Sequence, residues 1–160
     1  MPTLGNEATV SATDVWLTPP YILDALGEFD LDPCASVDRP WDTAKHHYTI
    51  EDDGLMQPWF GRVWCNPPYG PKMGAFLEKL AKHEEGGIAL IFARTETRAF
   101  FDTVWDQADA LLFIKGRIRF LTPDGKQGGS SGAPSVLVAY GEKQVEALEN
   151  CGLNGKLVRL

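Results

Sequence analysis

The chain has 160 residues, three cysteines and a net charge of −7, with ordinary apolar and charged fractions. That size fits one domain with a real core. No apolar run approaches the roughly 18 residues of a membrane span, and three scattered cysteines (Cys34, Cys65, Cys151) form neither a disulfide framework nor a metal-ligand spacing.

The charge is unevenly spread. Residues 1–60 hold eleven acids against two bases, a sum of −9, whereas residues 61–140 hold ten bases against eight acids, a sum of +2. A nucleic-acid face therefore belongs to the second half, with Arg94, Arg98, Lys115, Arg117, Arg119 and Lys126 as candidates. The blander alternative is a solvated face whose arginines pair with Asp106, Asp109 or Asp124.

In chain order, residues 1–13 are small and polar and predict a loose arm ahead of a single domain over 14–160. They lack the basic and apolar regions of a secretory signal, so a cytoplasmic location is expected. Thr18-Pro19-Pro20 ahead of Tyr21, Ile22, Leu23 and Leu26 predicts a helix with Thr18 as cap. Phe29 to Asp32 reads as a short strand stopped by Pro33. Residues 36–60 read as irregular, with weak strand character from His47 to Ile50. His46 and His47 are adjacent, face opposite ways on any strand, and predict no metal.

Val63 to Cys65 predicts a buried strand, Met73 to His83 a helix from apolar residues at 73, 76, 77 and 80, and Ile88 to Ala93 a fully apolar strand. Thr97 to Gln107 reads as helix; Ala110 to Ile114, Ile118 to Leu121 and Ser135 to Tyr140 read as strands. The Gly- and Ser-rich stretch Thr122 to Pro134 predicts a mobile loop. This alternation predicts an α/β fold, a mostly parallel sheet with an antiparallel C-terminal edge. In such sheets ligands bind at the carboxyl ends of the strands, where Asp32-Pro33 and Asn66 stand, with Asp53 able to line the same crevice. Individually, Asp32 reads equally as a strand-end cap and Asp53 as a turn residue.

The most informative residues are Asn66-Pro67-Pro68-Tyr69. Consecutive prolines lock φ and remove two backbone donors, leaving a stiff ledge with two acceptors, the Asn66 side-chain oxygen and the Pro67 carbonyl. Tyr69 adds a flat face. An exocyclic amine on a planar ring has the complementary shape: two donors and a π-face. An amine nitrogen is a poor nucleophile while its lone pair is delocalised into the ring. Acceptors on both hydrogens favour a pyramidal nitrogen and localise that pair. Cys34 superficially offers the thiolate that cytosine C5 chemistry needs, but a small buried cysteine in the other half of the crevice is the simpler reading, and Cys65 reads as core.

The order Thr18-Pro19-Pro20, Leu31-Asp32-Pro33-Cys34-Ala35, Asp52-Asp53-Gly54-Leu55, Asn66-Pro67-Pro68-Tyr69-Gly70 resembles the amino-methyltransferases that use S-adenosylmethionine. More narrowly it resembles the small bacteriophage-type DNA N6-adenine methyltransferases of the Dam family, over about residues 14–140. The resemblance implies a Rossmann-like methyltransferase sheet and direct methyl transfer from S-adenosylmethionine to N6 of an adenine flipped from DNA. It implies Thr18, Pro19, Asp32, Pro33, Asp53 and Asn66 on the cofactor, Asn66, Pro67, Pro68 and Tyr69 as the catalytic loop, and evasion of restriction as a biological role. The first motif departs from the wider superfamily in lacking a Gly-rich turn: Asp-Pro-Cys-Ala-Ser stands there. No large separate recognition domain fits the length. Methylation of a protein glutamine or an RNA base, and a catalytically silent DNA- or cofactor-binding module, are the alternatives, because the ledge suits any planar amine.

Overall fold

A computed structural model describes residues 16–130 and 132–160, so the expected arm at 1–13 lies outside the described residues. The elements are α1 (Pro20–Leu26), β1 (Leu31–Asp32), β2 (His46–His47), a 3₁₀ turn (Gly54–Met56), β3 (Val63–Cys65), α2 (Pro71–Lys82), β4 (Gly87–Phe92), α3 (Arg98–Phe100) running into a π-helical turn (Phe101–Trp105), β5 (Ala110–Ile114), β6 (Arg119–Leu121), β7 (Gln127–Ser130), β8 (Ser135–Tyr140), α4 (Glu142–Asn150) and β9 (Gly155–Arg159).

Seven strands form one mixed sheet in the order β2-β1-β3-β4-β8-β5-β9. β1 pairs in parallel with β2 and β3, and β3 with β4; β8 is antiparallel to both β4 and β5, and β9 is antiparallel to β5. The expected antiparallel C-terminal edge exists at β9, but with a correction: the antiparallel β8 lies inside the sheet. The reason is burial. All six residues of β8 are buried, which demands cover on both faces and both sides, whereas β9 is half-exposed along its length and tolerates an edge.

Alternation along the strands divides the core in two. Trp64, Ile88, Leu90, Leu112, Leu137 and Ala139 face α1 and α4, packing with Ile22, Leu26, Val145 and Leu148. Val63, Cys65, Ala89, Ile91, Val136 and Val138 face the other way, onto Phe76, Leu77 and Leu80 of α2 and Phe100 and Val104. The result is three layers, helix on sheet on helix.

Further corrections follow from hydrogen bonding. The first helix starts at Pro20 with Pro19 at its cap, and Thr18 makes no capping bond. The expected helix at 97–107 is a short α-turn that widens to π geometry, with Thr97 Oγ1 accepting from Phe100 N. His46 and His47, in the stretch read as irregular, form an edge strand, His46 exposed and His47 half-buried. β6 does not join the main sheet. It pairs with β7, which occupies part of the stretch expected to be loop. α4 and β9 carry the last twenty residues, for which no element was expected.

Candidate active site

Asp32 ends β1 and Asn66 follows β3. These strands are neighbours and run the same way, with Leu31 opposite Val63, so both residues emerge at the same end of the sheet. The exits are fastened to each other below the surface: Cys34 Sγ lies 3.6 Å from Cys65 Sγ. Cys34 is half-buried, and its thiol contact argues against a nucleophilic role. Its thiol is pushed well above the usual value, first by the hydrogen bond with Cys65 and then by desolvation, the opposite of an activated nucleophile.

Asp32 is buried, at 4% exposure. Its carboxylate accepts from Cys34 N at 3.1 Å and from the Thr43 hydroxyl. Desolvation nevertheless dominates and raises its pKa to about 6, against the lowering effect of those two bonds and of Arg39.

Asp53 reaches the same end through a turn. Gly54 is required there: a Cβ would stand 1.9 Å from the Pro33 carbonyl oxygen, so only glycine lets the turn close on the Asp32-Pro33 exit. Asp53 itself adopts a left-handed conformation, φ 56°, the sole non-glycine residue with positive φ among the described residues. Asp52, not Asp53, serves the local turn, accepting from Thr49 N at 2.8 Å. Asp53 is exposed and its carboxylate makes no capping bond. The turn is braced by Trp59 Nε1 donating to Gly54 O at 2.9 Å and by Lys79 Nζ donating to Leu55 O and Gln57 O at 2.8 and 2.7 Å.

On the other side of Asn66, its Nδ2 donates to Thr18 Oγ1 at 3.3 Å. That bond uses a donor, and Oδ1 has no protein partner among the described residues. Thr18 is buried and follows Leu17, which exchanges two backbone bonds with Leu121 of β6 at 2.7 and 2.9 Å. Trp16 covers Gly128 of β7, where a Cβ would meet the indole at 2.2 Å. The β6–β7 ribbon is thus clamped to the segment that holds Asn66.

Pro67 is buried, whereas Pro68 and Tyr69 are exposed, Tyr69 at 51%. One face of the Tyr69 ring stacks on Phe92, the last residue of β4, with centroids 4.5 Å apart and planes at 13°. Arg94 places its guanidinium carbon 5.6 Å from the Phe92 centroid. Trp105 Nε1, on the π-helical turn, donates to Thr95 O at 3.0 Å and steadies this strand exit.

The structure therefore gathers Thr18, Asp32, Pro33, Asn66 and Pro67 at one end of the sheet, with Asp53 on the turn packed against Pro33. Of the basic candidates, Arg94 joins the Tyr69–Phe92 stack, and Arg117 and Arg119 line one open cavity with Pro19, Pro20, Tyr21 and Leu121. Arg98, Lys115 and Lys126 are exposed but do not line that cavity. Pairing with the three named acids does not occur for Arg94, Arg98, Lys115 or Arg119 among the described residues. Asp109 accepts from Gly141 N, and Asp124 from Thr122 Oγ1 and Lys126 N. The sequence reasoning missed Phe92, Thr43 and Lys79. Phe92 had a legible signal, an aromatic closing a buried strand; Thr43 and Lys79 had none.

Among the described residues no cluster of three or more metal-ligating side chains is present, and no helix is long and apolar enough to cross a membrane. No curated protein and no solved structure matches the chain. The DNA N-6-adenine-methyltransferase (Dam) family model matches residues 5–149, and with most of its length so covered the chain belongs to that family of methyltransferase enzymes.

Proposed function

We propose that the chain methylates adenine N6 in DNA by direct transfer from S-adenosylmethionine to a base flipped onto the Asn66–Tyr69 ledge. The observation that carries this reading is the state of the ledge: Asn66 is fixed through Nδ2 with Oδ1 uncommitted, and Tyr69 is backed by Phe92 on one face.

The residues present fit the cofactor. Asp32 is a buried carboxylate whose ionisation is costly without a cation beside it, and S-adenosylmethionine carries an ammonium and a sulfonium. Asp53 projects an unpaired carboxylate from a strained turn, suited to accept from an amino group or hydroxyl. Thr18, Pro19, Asp32, Pro33 and Asp53 would hold the cofactor, with Asn66 at the junction with the substrate. The bound cofactor supplies an electrophilic methyl group.

The remaining chemistry belongs to the chain. Asn66 Oδ1 and the Pro67 carbonyl accept hydrogen bonds from the two N6 hydrogens and stabilise positive charge as it develops on nitrogen, and the methylated nitrogen then sheds one proton to solvent. Pro67 and Pro68 keep the ledge rigid, so no reorganisation is needed during transfer. Tyr69 stacks on the extruded base and Phe92 fixes its plane. Arg94, Arg98, Lys115, Arg117, Arg119 and Lys126 supply the phosphate contacts that an acidic chain needs locally. We further read the sheet as a Rossmann-like methyltransferase fold and residues 14–160 as one domain acting in the cytoplasm.

The test is incubation with methyl-labelled S-adenosylmethionine and a mixture of DNA, RNA and protein, followed by separation and digestion. Label in N6-methyladenine from DNA supports the reading; label only in RNA or in protein glutamine overturns the substrate, and no label overturns the enzyme. Charge reversal at both Arg117 and Arg119 should weaken DNA binding, with a salt slope lower by about two, and leave calorimetric cofactor affinity unchanged.

A further inference from the structure

The open cavity between the start of α1 and the β6–β7 ribbon, about 480 Å³ in volume, is lined by Pro19, Pro20, Tyr21, Arg117, Arg119 and Leu121. Its composition differs from that of the chain around it. Two arginines line it and, among the described residues, no carboxylate does, in a protein of net charge −7. Tyr21 is 57% exposed on the first turn of α1, while the neighbouring Ile22 and Leu23 are buried. The Tyr21 ring therefore stands open to solvent in the cavity wall, beside the two arginines that share that wall. Arg119 is exposed on β6 and pairs with no acid among the described residues.

The cavity is also tied to the ledge. Leu121, in its wall, bridges to Leu17; Thr18 follows and holds Asn66; Pro19 then returns to the wall. A ligand seated there lies along the same short segment that orients the reacting amine.

We infer that this cavity is a subsite for one nucleotide of the DNA strand beside the flipped adenine, its base or sugar on the Tyr21 face and its phosphate on Arg119 with Arg117. The inference rests on the reading of the chain as acting on DNA. An aromatic face beside a cation is the arrangement that holds a single-stranded nucleotide without reading its identity, because every base has a π-face and every linkage a charge. Duplex next to an extruded base is locally unstacked and offers such a nucleotide. Pro19 and Pro20 keep the floor rigid, so little ordering is required on binding.

The test begins by mapping the methylated adenine. Duplexes of that sequence, intact or with one abasic site at each neighbouring position, are then titrated against wild type, Tyr21→Ala and Tyr21→Phe. Tyr21→Ala should lose about tenfold in affinity for the intact duplex, and Tyr21→Phe should bind as wild type does. One abasic duplex should be bound equally by wild type and Tyr21→Ala. Should Tyr21→Ala fail to fold, Arg119→Gln replaces it, with a salt slope expected to fall by about one. Wild-type DNA affinity in Tyr21→Ala, or in Arg119→Gln, overturns the subsite while the methyltransferase reading stands. Loss of calorimetric S-adenosylmethionine affinity in Tyr21→Ala, with DNA affinity intact, assigns the cavity to the cofactor and also overturns it. A wild type that methylates no DNA overturns both.

Discussion

Asp32 ends β1 and Asn66 directly follows β3, two strands whose every residue is buried, and their neighbours Cys34 and Cys65 touch beneath them. Arg119 belongs instead to a ribbon outside the seven-stranded sheet and Arg117 to the segment that enters it, anchored by buried Ile118 and Phe120 and by the bridge to Leu17. Under the proposed function, the contrast matches what each group would do. Acceptors for a developing charge lose their effect when displaced by fractions of an ångström, so they sit where packing leaves one arrangement. Cations that meet a flexible polyanion act over several ångströms and gain from exposure. The two regions meet at Thr18, which is bonded to Asn66 and adjacent in sequence to the residue that carries the ribbon.

The largest test of this division is Asn66→Ala. It should reduce kcat by about 10²–10³, with the melting temperature and calorimetric cofactor affinity nearly unchanged. Wild-type turnover in that variant, read as N6-methyladenine by mass spectrometry, removes the ledge from the mechanism.

Next comes the cost of keeping Asp32 charged inside the crevice. Its carboxyl titrates near 3.9 when unfolded and at about 6 when folded, because burial disfavours the ion. Between those values the folded chain holds a proton that the unfolded chain has released. Stability therefore falls as pH rises through that window, and above it the penalty is on the order of 2–3 kcal/mol. Asp32→Asn should be as stable as wild type near pH 4 and more stable at pH 7, by denaturant titration, while binding cofactor more weakly. A constant difference across the range would show that burial does not govern this group.

The aromatic stack ranks third. Tyr69→Ala should cost about 1–3 kcal/mol in DNA affinity, and Tyr69→Phe much less. Phe92→Leu keeps an apolar side chain there but removes the ring behind Tyr69, and should cost about 0.5–1.5 kcal/mol, as a rise in KM for DNA with cofactor affinity unchanged. Phe92→Tyr should restore the wild-type value. Rescue failing there, or kcat falling with KM constant, would mean that Phe92 does not act through Tyr69.

The smallest effect is expected where the regions join. Thr18→Val preserves shape and removes the hydroxyl that accepts from Asn66, a loss of about 0.5–1.5 kcal/mol. It should appear in kcat rather than in the binding of DNA. Equal damage to DNA affinity would reveal that Thr18 also positions the ribbon.

Much of the local structure was legible along the chain because it is decided within a few residues. A proline pair fixes φ wherever it occurs, so the rigidity of Pro67-Pro68 needed no fold to predict it. Apolar runs reported β3, β4, β5 and β8, and helical spacing reported α2, because period and burial are properties of sequence. The strand ends at Asp32 and Asn66 followed from the same pattern. What required tertiary structure was every relation between distant segments. That β8 enters the middle of the sheet depends on its all-round burial competing with the half-exposed β9 for an edge. That Thr18 serves Asn66 rather than its own helix depends on a contact across 48 positions, and that Tyr69 lies on Phe92 depends on two strand exits meeting. Gly- and Ser-rich residues read as loop became β7 because pairing with β6, and cover from Trp16 over Gly128, outweighed their weak strand propensity. Backbone preference is decided within a few residues, and the sequence reports it. Partnership between segments is decided by which surfaces the whole chain can bury together, and only the folded molecule reports that.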